Sequence, residues 1–523
     1  MQRTIYFAFL YLFGTSIGNP NAVPQHVSPS KPTPTEIFGN SWQLDSDGSY
    51  WLFWKTNATH ITFETHVKTK GYVGFGLSSN GKMFPSDVVV GWVDSNGTAH
   101  FKDCHTEGHY APTIDVSQDW MLLQGLEDNF GTVLKFVRKL DTCDDKDYQI
   151  TDNTIKVIYS YHPDDPASFD TLPWHGANRR GAKSLMLLSA VKANDYQLPP
   201  DAEQFDILHN NFEPIITRGN EDVVHHFVVF SCPTATDDDE GSVFNCYGVK
   251  PKKFEKCNDI MLAWAIGGVG YDFPHNVGFS LNAPGDPRYL LLETHFTNPT
   301  LKSGIVDSSG FRITVTPTLR QYDAGMLEIG AMAVGNQTNS LKVFGVLLHA
   351  HLLGAKMTAR HFRGDRELEP FSKDDNYDFD YQDFRAMKQE REIKYGDSLS
   401  MDCTYDSSSR TKPTVGGLPT TSEMCLAFLF YYPKVNVTFC VSQPNYDQLS
   451  SVPWHAVQQL NTWDWKDKSV RDNFNGIVDN STYNYICNGL DKSANIDFKQ
   501  GNFHLPEPAT KYAPPPRQCP SGH

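Results

Sequence analysis

Apolar and polar residues alternate along most of this chain in short runs, the period of a strand with one buried face. Glycine, asparagine, aspartate or proline breaks almost every run. From about 40 to 160 the pattern predicts strands at Tyr50–Trp54, His60–Val67, Gly71–Gly76 and Asp87–Val93, with turns at Asp47-Gly48, Ser79-Asn80-Gly81 and Ser95-Asn96-Gly97. Regular short strands with such punctuation predict a β-sandwich, and helical periodicity is scarce there. A second β-rich region, about 200 to 325, has candidate strands Val223–Phe230, Tyr289–Phe296 and Phe311–Leu319. A third, about 326 to 500, has Val343–His351, Lys356–Phe362, Ser398–Tyr405 and Cys425–Tyr432. Residues 19–35, rich in Pro, Ser and Asn, read as a linker. The Pro-rich stretch 501–523 reads as an irregular tail that Cys519 can tie down. No repeat of fixed period and no heptad pattern is present.

The length, 523 residues, exceeds one hydrophobic core and predicts two to four domains. Hydrophobic and aromatic contents of 39% and 13% are those of a folded chain. A net charge of −16 argues against nucleic acid or an anionic membrane as partner. At the N-terminus, Gln2-Arg3 precedes the apolar run Ile5 to Phe13 and the small residues Ser16 and Gly18. Residues 1–18 therefore read as a signal peptide, too short in its apolar part to span a bilayer. No later run is long enough to anchor the chain, so a secreted or secretory-lumen protein is expected. Sequons at Asn57, Asn96, Asn336, Asn436 and Asn480 suit that route. So do the ten cysteines, most of which should be paired in an oxidising compartment and none of which has CxxC spacing.

Three features carry chemistry. His225 and His226 open an apolar strand, Val223 to Cys232. Successive strand residues face opposite ways, so both reach one ion only at a strand end or a twist; alone, one buried and one exposed histidine is the simpler account. His349 and His351, in Leu347-Leu348-His349-Ala350-His351-Leu352, share a face and can chelate together. A buried pair among aliphatics needs partners for its ring nitrogens, although His-x-His is common by chance. Met424, in the apolar run Glu423 to Pro433, is by itself an ordinary core methionine. Imidazole with thioether nevertheless suits copper cycling between Cu(I) and Cu(II).

These motifs resemble the ascorbate-dependent type II copper monooxygenases, in particular the dopamine-beta-hydroxylase-like group. Stretches that match in order include Gly74 to Gly81, Ser86–Trp92, Gln118-Asp119-Trp120, Trp174-His175-Gly176, Val224–Cys232, Ala263–Gly267, Arg288–Pro299, Asp307–Gly310, Leu347–Gly354 and Gly416–Pro433. The resemblance implies an all-β chain: a DOMON β-sandwich (36–160), then two jelly-roll-like copper domains (195–325 and 326–500). It implies a first copper on His225, His226 and the His295 of Leu292-Glu293-Thr294-His295-Phe296, relaying electrons from ascorbate. It implies a second copper on His349, His351 and Met424, where oxygen is bound and a substrate C–H bond hydroxylated; His349 is accordingly assigned to catalysis. The two metals are expected to stand apart across a cleft. The implied substrate is a small amine, with O2 and ascorbate as co-substrates. The implied disulfides are Cys143–Cys519, Cys232–Cys257 and Cys403–Cys425.

Three departures from the family pattern stand out. A Thr-Tyr-Trp-Cys segment ahead of the His-His pair is missing between Leu208 and Pro214, a Cys-x-x-x-Cys stretch is missing between Gly330 and Phe344, and Phe428 stands where a tyrosine is usual. Cys246 thereby loses its partner. Cys440 and Cys487 lose partners that would have been near neighbours, so these two are expected to lie close and to pair. Cys104 has no evident partner. Two rival readings remain: a catalytically impaired copper- or ligand-binding relative, and a zinc hydrolase, which lacks HExxH and leaves Met424 without a role.

Overall fold

The computed structural model describes residues 5–11, 31–188, 203–205, 211–245, 251–281, 286–298, 301–330, 332–334, 340–444, 459–460, 462–479, 482–488, 508–517 and 519. The chain is all-β, with one β-sandwich in the N-terminal region followed by two more. It divides into two compact units, Gly18–Asp195 with Pro515–His523, and Met1–Ile17 with Tyr196–Pro514. The regions 195–325 and 326–500 thus fall largely in one unit.

The first unit is an antiparallel sandwich. Asn40–Gln43, Tyr50–Thr56, His60–Val67, Thr132–Lys139 and Met121–Glu127 form one sheet in that order. Arg180–Leu185, Ile155–Tyr161, Val73–Ser78, Ser86–Val93, Ala99–Thr106 and Thr113–Ile114 form the other. Alternation fills the space between them: Phe63, Phe75, Trp120 and Phe136 meet at ring separations of 4.9 to 6.0 Å. Within this core Arg138 is fully buried and pairs with Asp87, which also accepts from Trp120 Nε1. The stretch read as a linker is tied down at its end, where Thr35 N donates to Glu64 at 2.7 Å. The tail is also held: Cys519 is bonded to Cys143, and Arg517 grips both oxygens of Asp141.

The second unit holds two sandwiches. In the first, Val224–Ser231 lies between Tyr289–Phe296 and Asp259–Ala265. The segment Ile5–Tyr11, read from sequence as part of a leader, pairs with Tyr289–His295 on the other edge. In the second sandwich, the six-stranded sheet runs Arg385–Ile393, Leu341–Ala350, Cys425–Tyr432, Gly325–Gly330, Phe439–Pro444 and Tyr483–Asn488. Leu348, Ala350, Ala427, Leu429, Leu327 and Ile329 point into its core. Alternation therefore turns Leu347, His349, Phe428, Phe430 and Glu328 to the opposite face. That face meets the first sandwich through Phe430, Phe384 and Tyr271, the last two stacked at 3.9 Å.

Several elements depart from the sequence expectation. Phe311–Leu319 is shortened to Gly310–Val315. Gly71–Gly76 is displaced to Val73–Ser78 because the chain enters that strand through a close approach of Gly71 to Asp164, where a Cβ would lie 2.4 Å from backbone. A helix, Lys468–Asp479, lies in a region read only as strands; Asp467 caps it by accepting from Ser469 N at 2.8 Å.

Cys232–Cys257, Cys403–Cys425 and Cys440–Cys487 are disulfide-bonded. The last joins directly paired residues of adjacent strands, with Cα atoms 4.1 Å apart. Cys104 is a buried free thiol, and Cys246 lies outside the described residues. Asn57, Asn96 and Asn436 are exposed, and Asn336 and Asn480 lie outside the described residues. Among the described residues, no helix is long and apolar enough to cross a membrane.

Candidate metal centre

A β-bulge answers the geometric problem posed by adjacent histidines. Val224 pairs with Phe296 and His226 with His295, so His225 is the extra residue. The bulge re-aims its side chain, and both rings come to one side. Their Nδ1 atoms lie 2.8 Å apart, so one donates and the other accepts. His226 stacks on His295, its cross-strand partner, with ring centroids 3.8 Å apart. His295 Nε2 donates to the Glu293 carboxylate, which sits on the same face two residues earlier.

His349, the last residue but one of its strand, lies on the face turned toward the first sandwich, and His351 follows just beyond the strand end. Their ring centroids are 5.1 Å apart. The ladder pairs His349 with Leu426 and Ala350 with Cys425, so Met424 and His351 are the next residues beyond the same end of it. His351 Nδ1 donates to the Ser422 carbonyl at 2.9 Å.

The two histidine sets are not held apart by an open cleft, contrary to the expectation from resemblance. The rings of His226 and His349 lie 5.9 Å apart. One loop closes the distance. Phe379 lies flat on His225 at 4.4 Å, and Gln382 Oε1 accepts from His349 Nδ1 at 2.7 Å. The amide is oriented by its other end, since Gln382 Nε2 donates to Phe379 O at 2.8 Å. The loop is anchored on the first sandwich: Gln382 N donates to Ile266 O, and Asp383 accepts from Val269 N. Gly267 makes this approach possible. Its φ is +85°, and a Cβ there would lie 2.6 Å from Tyr381 Cα.

Burial and crowding keep His226 and His349 neutral. Desolvation, with the neighbouring histidines adding to it, holds His226 well below the usual histidine range. Burial, with His351 next, pushes His349 down to about 4. Neutral imidazoles with a thioether are a donor set that fits copper in either oxidation state. The ring nitrogens are gathered but not turned to a common point. Among the described residues, the groups of three or more His, Cys, Asp or Glu whose ligand atoms all lie within 4.8 Å of one another are Asp141–Cys143–Cys519 and Asp87–Asp103–Asp147, not the histidines. Ion binding at His225 and His226 requires their rings to turn out of their mutual hydrogen bond.

Residues 196–303 match the N-terminal domain, and residues 322–453 the C-terminal domain, of copper type II ascorbate-dependent monooxygenase; residues 46–162 match the DOMON domain. The DBH-like monooxygenase protein 1 of Mus musculus is 36% identical over 82% of this chain and 79% of its own length. The chain belongs to this copper monooxygenase family. Dopamine beta-hydroxylase of Homo sapiens, another relative, is 29% identical over 91% of this chain and 88% of its own. Copper and ascorbate are the family's cofactor and reductant.

Sequence reading missed three residues of this region, Gln382, Phe379 and Glu328. Gln382 and Phe379 lie in a polar, aperiodic stretch that carries no pattern signal. Glu328 did leave a trace, a lone carboxylate in Gly325-Met326-Leu327-Glu328-Ile329-Gly330. It pairs with Phe428, which pairs in turn with Leu347, so it shares the face of His349. Burial alone raises its carboxyl to about 7. Phe428 removes one hydroxyl from this neighbourhood, but Tyr405 brings another, donating to Met424 O at 2.8 Å.

Proposed function

We propose that this chain is a working secretory-pathway monooxygenase that hydroxylates a small amine, using two coppers. His225, His226 and His295 would hold the first, and His349, His351 and Met424 the second. The observation that carries the reading is the continuous cluster of five imidazoles, with Met424 just beyond the strand end where His351 lies. An apolar interface has no other use for so many imidazole nitrogens.

Copper supplies electron transfer and oxygen activation, with ascorbate as the reductant. The protein's own groups do the rest. Gln382 fixes His349 with its proton on Nδ1, which leaves the lone pair on Nε2. The Ser422 carbonyl does the same for His351. The aromatic face formed by Phe430, Phe384 and Tyr271 keeps bulk water from this side of the centre. Glu328 supplies the amine preference: a carboxylate in a poorly solvated site gains far more from an ammonium partner than it would in water. Its raised pKa falls when that partner binds.

Glu328→Gln tests the substrate class. With phenethylamine as substrate, the reading expects KM to rise at least tenfold at pH 7.5, with copper content unchanged. An unaltered KM would remove the amine from the proposal. The impaired-relative reading draws on the missing segment between Leu208 and Pro214, which falls partly outside the described residues. The zinc-hydrolase reading is set aside by family membership.

A further inference from the structure

The segment that carries Met424 is fastened to the His351 turn by contacts that the ligand assignment does not use. Glu423 places its two carboxylate oxygens on two backbone amides, accepting from His351 N at 3.0 Å and from Leu353 N at 2.7 Å. Its own backbone is held on both sides, by Val415 O at 3.0 Å and Gly417 N at 3.1 Å. The residue before it, Ser422, gives its carbonyl to His351 Nδ1. On the far side of Met424, Cys425 is bonded to Cys403. Two residues along that same strand, Tyr405 donates its hydroxyl to the carbonyl of Met424 itself.

Met424 is thus the unfastened side chain at the centre of a fastened backbone. A methionine side chain has three rotatable bonds and no intrinsic preference for one site. Its reach is set by where its Cα is held. A carboxylate on two amides is a strong, directional restraint, because charge-assisted bonds are shorter and roughly twice as strong as neutral ones. Tyr405 adds a second restraint from another strand. Neither is needed for the sandwich core, which is built from Leu399, Met401, Ala427 and Leu429 nearby.

We infer that Glu423 and Tyr405 are positioning residues that set the distance between the Met424 thioether and the His351 imidazole, and so tune the second site toward Cu(I). This rests on the reading of His349, His351 and Met424 as ligands. Groups that orient metal ligands commonly change affinity by about 10- to 100-fold when removed.

The test uses the full chain loaded with Cu(I), and three variants: Met424→Ala, Glu423→Gln and Tyr405→Phe. X-ray absorption reads the copper–sulfur contribution, and competition with a chelator reads Cu(I) affinity. Amide hydrogen exchange of the metal-free protein reads protection at His351 and Leu353. The inference expects Tyr405→Phe and Glu423→Gln to keep two coppers, to lose most of the copper–sulfur signal and to bind Cu(I) at least tenfold more weakly. It also expects exchange at His351 and Leu353 to quicken in Glu423→Gln. Should Glu423→Gln fail to fold, Tyr405→Phe alone decides, because its side chain is partly exposed and its ring is retained. If Met424→Ala abolishes the sulfur signal while both other variants keep it at wild-type strength, the positioning role is wrong. If Met424→Ala leaves the signal unchanged, or none exists in the wild type, the ligand reading itself fails and the inference falls with it.

Discussion

Gln382 and His349 come from different stretches of the second sandwich, yet the amide oxygen of one lies 2.7 Å from Nδ1 of the other. Three residues before Gln382, Phe379 covers His225. One short loop therefore touches both histidine sets and carries much of their mutual geometry.

Removing the acceptor should loosen the second site. Gln382→Leu keeps the volume and loses the bond, so His349 can exchange its proton between ring nitrogens. Copper affinity there should drop about 10- to 100-fold, with the fold intact. Equilibrium copper titration with circular dichroism checks both parts; unchanged affinity would deny Gln382 this role.

Gly267 should tolerate no side chain. Ala at this position needs a positive φ and meets Tyr381 backbone at 2.6 Å. The expected destabilisation is about 1–3 kcal/mol, and the loop should shift off both histidine sets. Chemical denaturation together with copper counting reports it. An alanine variant with wild-type stability and two coppers would show that the loop contact is dispensable.

The first unit should lose stability as pH rises. Burial, then the like charges of Asp87 and Asp147, raises Asp103 to about 8. Burial, then Asp87, raises Asp147 to about 7, although Arg138 opposes it. Unfolded, both titrate near about 3.9. A raised folded pKa means the native state holds the proton more tightly. The stabilisation is complete below about pH 4 and is lost as pH climbs through 7 and 8. Hydrogen exchange of Ser86–Val93 and Ala99–Thr106 should therefore quicken between pH 5.5 and 8.5, after correction for intrinsic rates. Asp103→Asn should flatten that trend; a trend of the same steepness in the variant would place its origin elsewhere.

Exposure predicts which sequons carry sugar. Asn57, Asn96 and Asn436 are exposed, so chain secreted from animal cells should carry glycans at these sites. Enzymatic deglycosylation converts each occupied asparagine to aspartate, a one-dalton change that peptide mass spectrometry detects. Unmodified asparagine at all three would argue against the secretory route.

Much of this was legible in the residues themselves. His60–Val67 alternates, Tyr289–Phe296 and Cys425–Tyr432 are short apolar-rich runs near turn residues, and all three fold over those spans. The helix Lys468–Asp479 was not read, although Val470, Phe474 and Ile477 stand at helical spacing. The bulge at His225 was not legible. Nothing in an apolar run announces that one residue will be left unpaired, because the partner strand decides it. The loop from Asp378 to Phe384 was equally silent. Its order comes from contacts with Ile266 and Val269, more than a hundred positions away. The expected separation of the two metal sites came from family likeness rather than from residues. Here Gly267 and the loop seated on it bring His226 and His349 close.

The central claim is that this chain carries two coppers on its histidines and spends them on an amine. Express the chain, load it, count copper by mass spectrometry of the metal, and follow oxygen uptake with ascorbate and phenethylamine. The account predicts two coppers per chain, falling to one in His349→Ala with His351→Ala, and uptake that requires both ascorbate and amine and yields hydroxylated product. Fewer than two coppers, or a count unmoved by losing those two histidines, would contradict it.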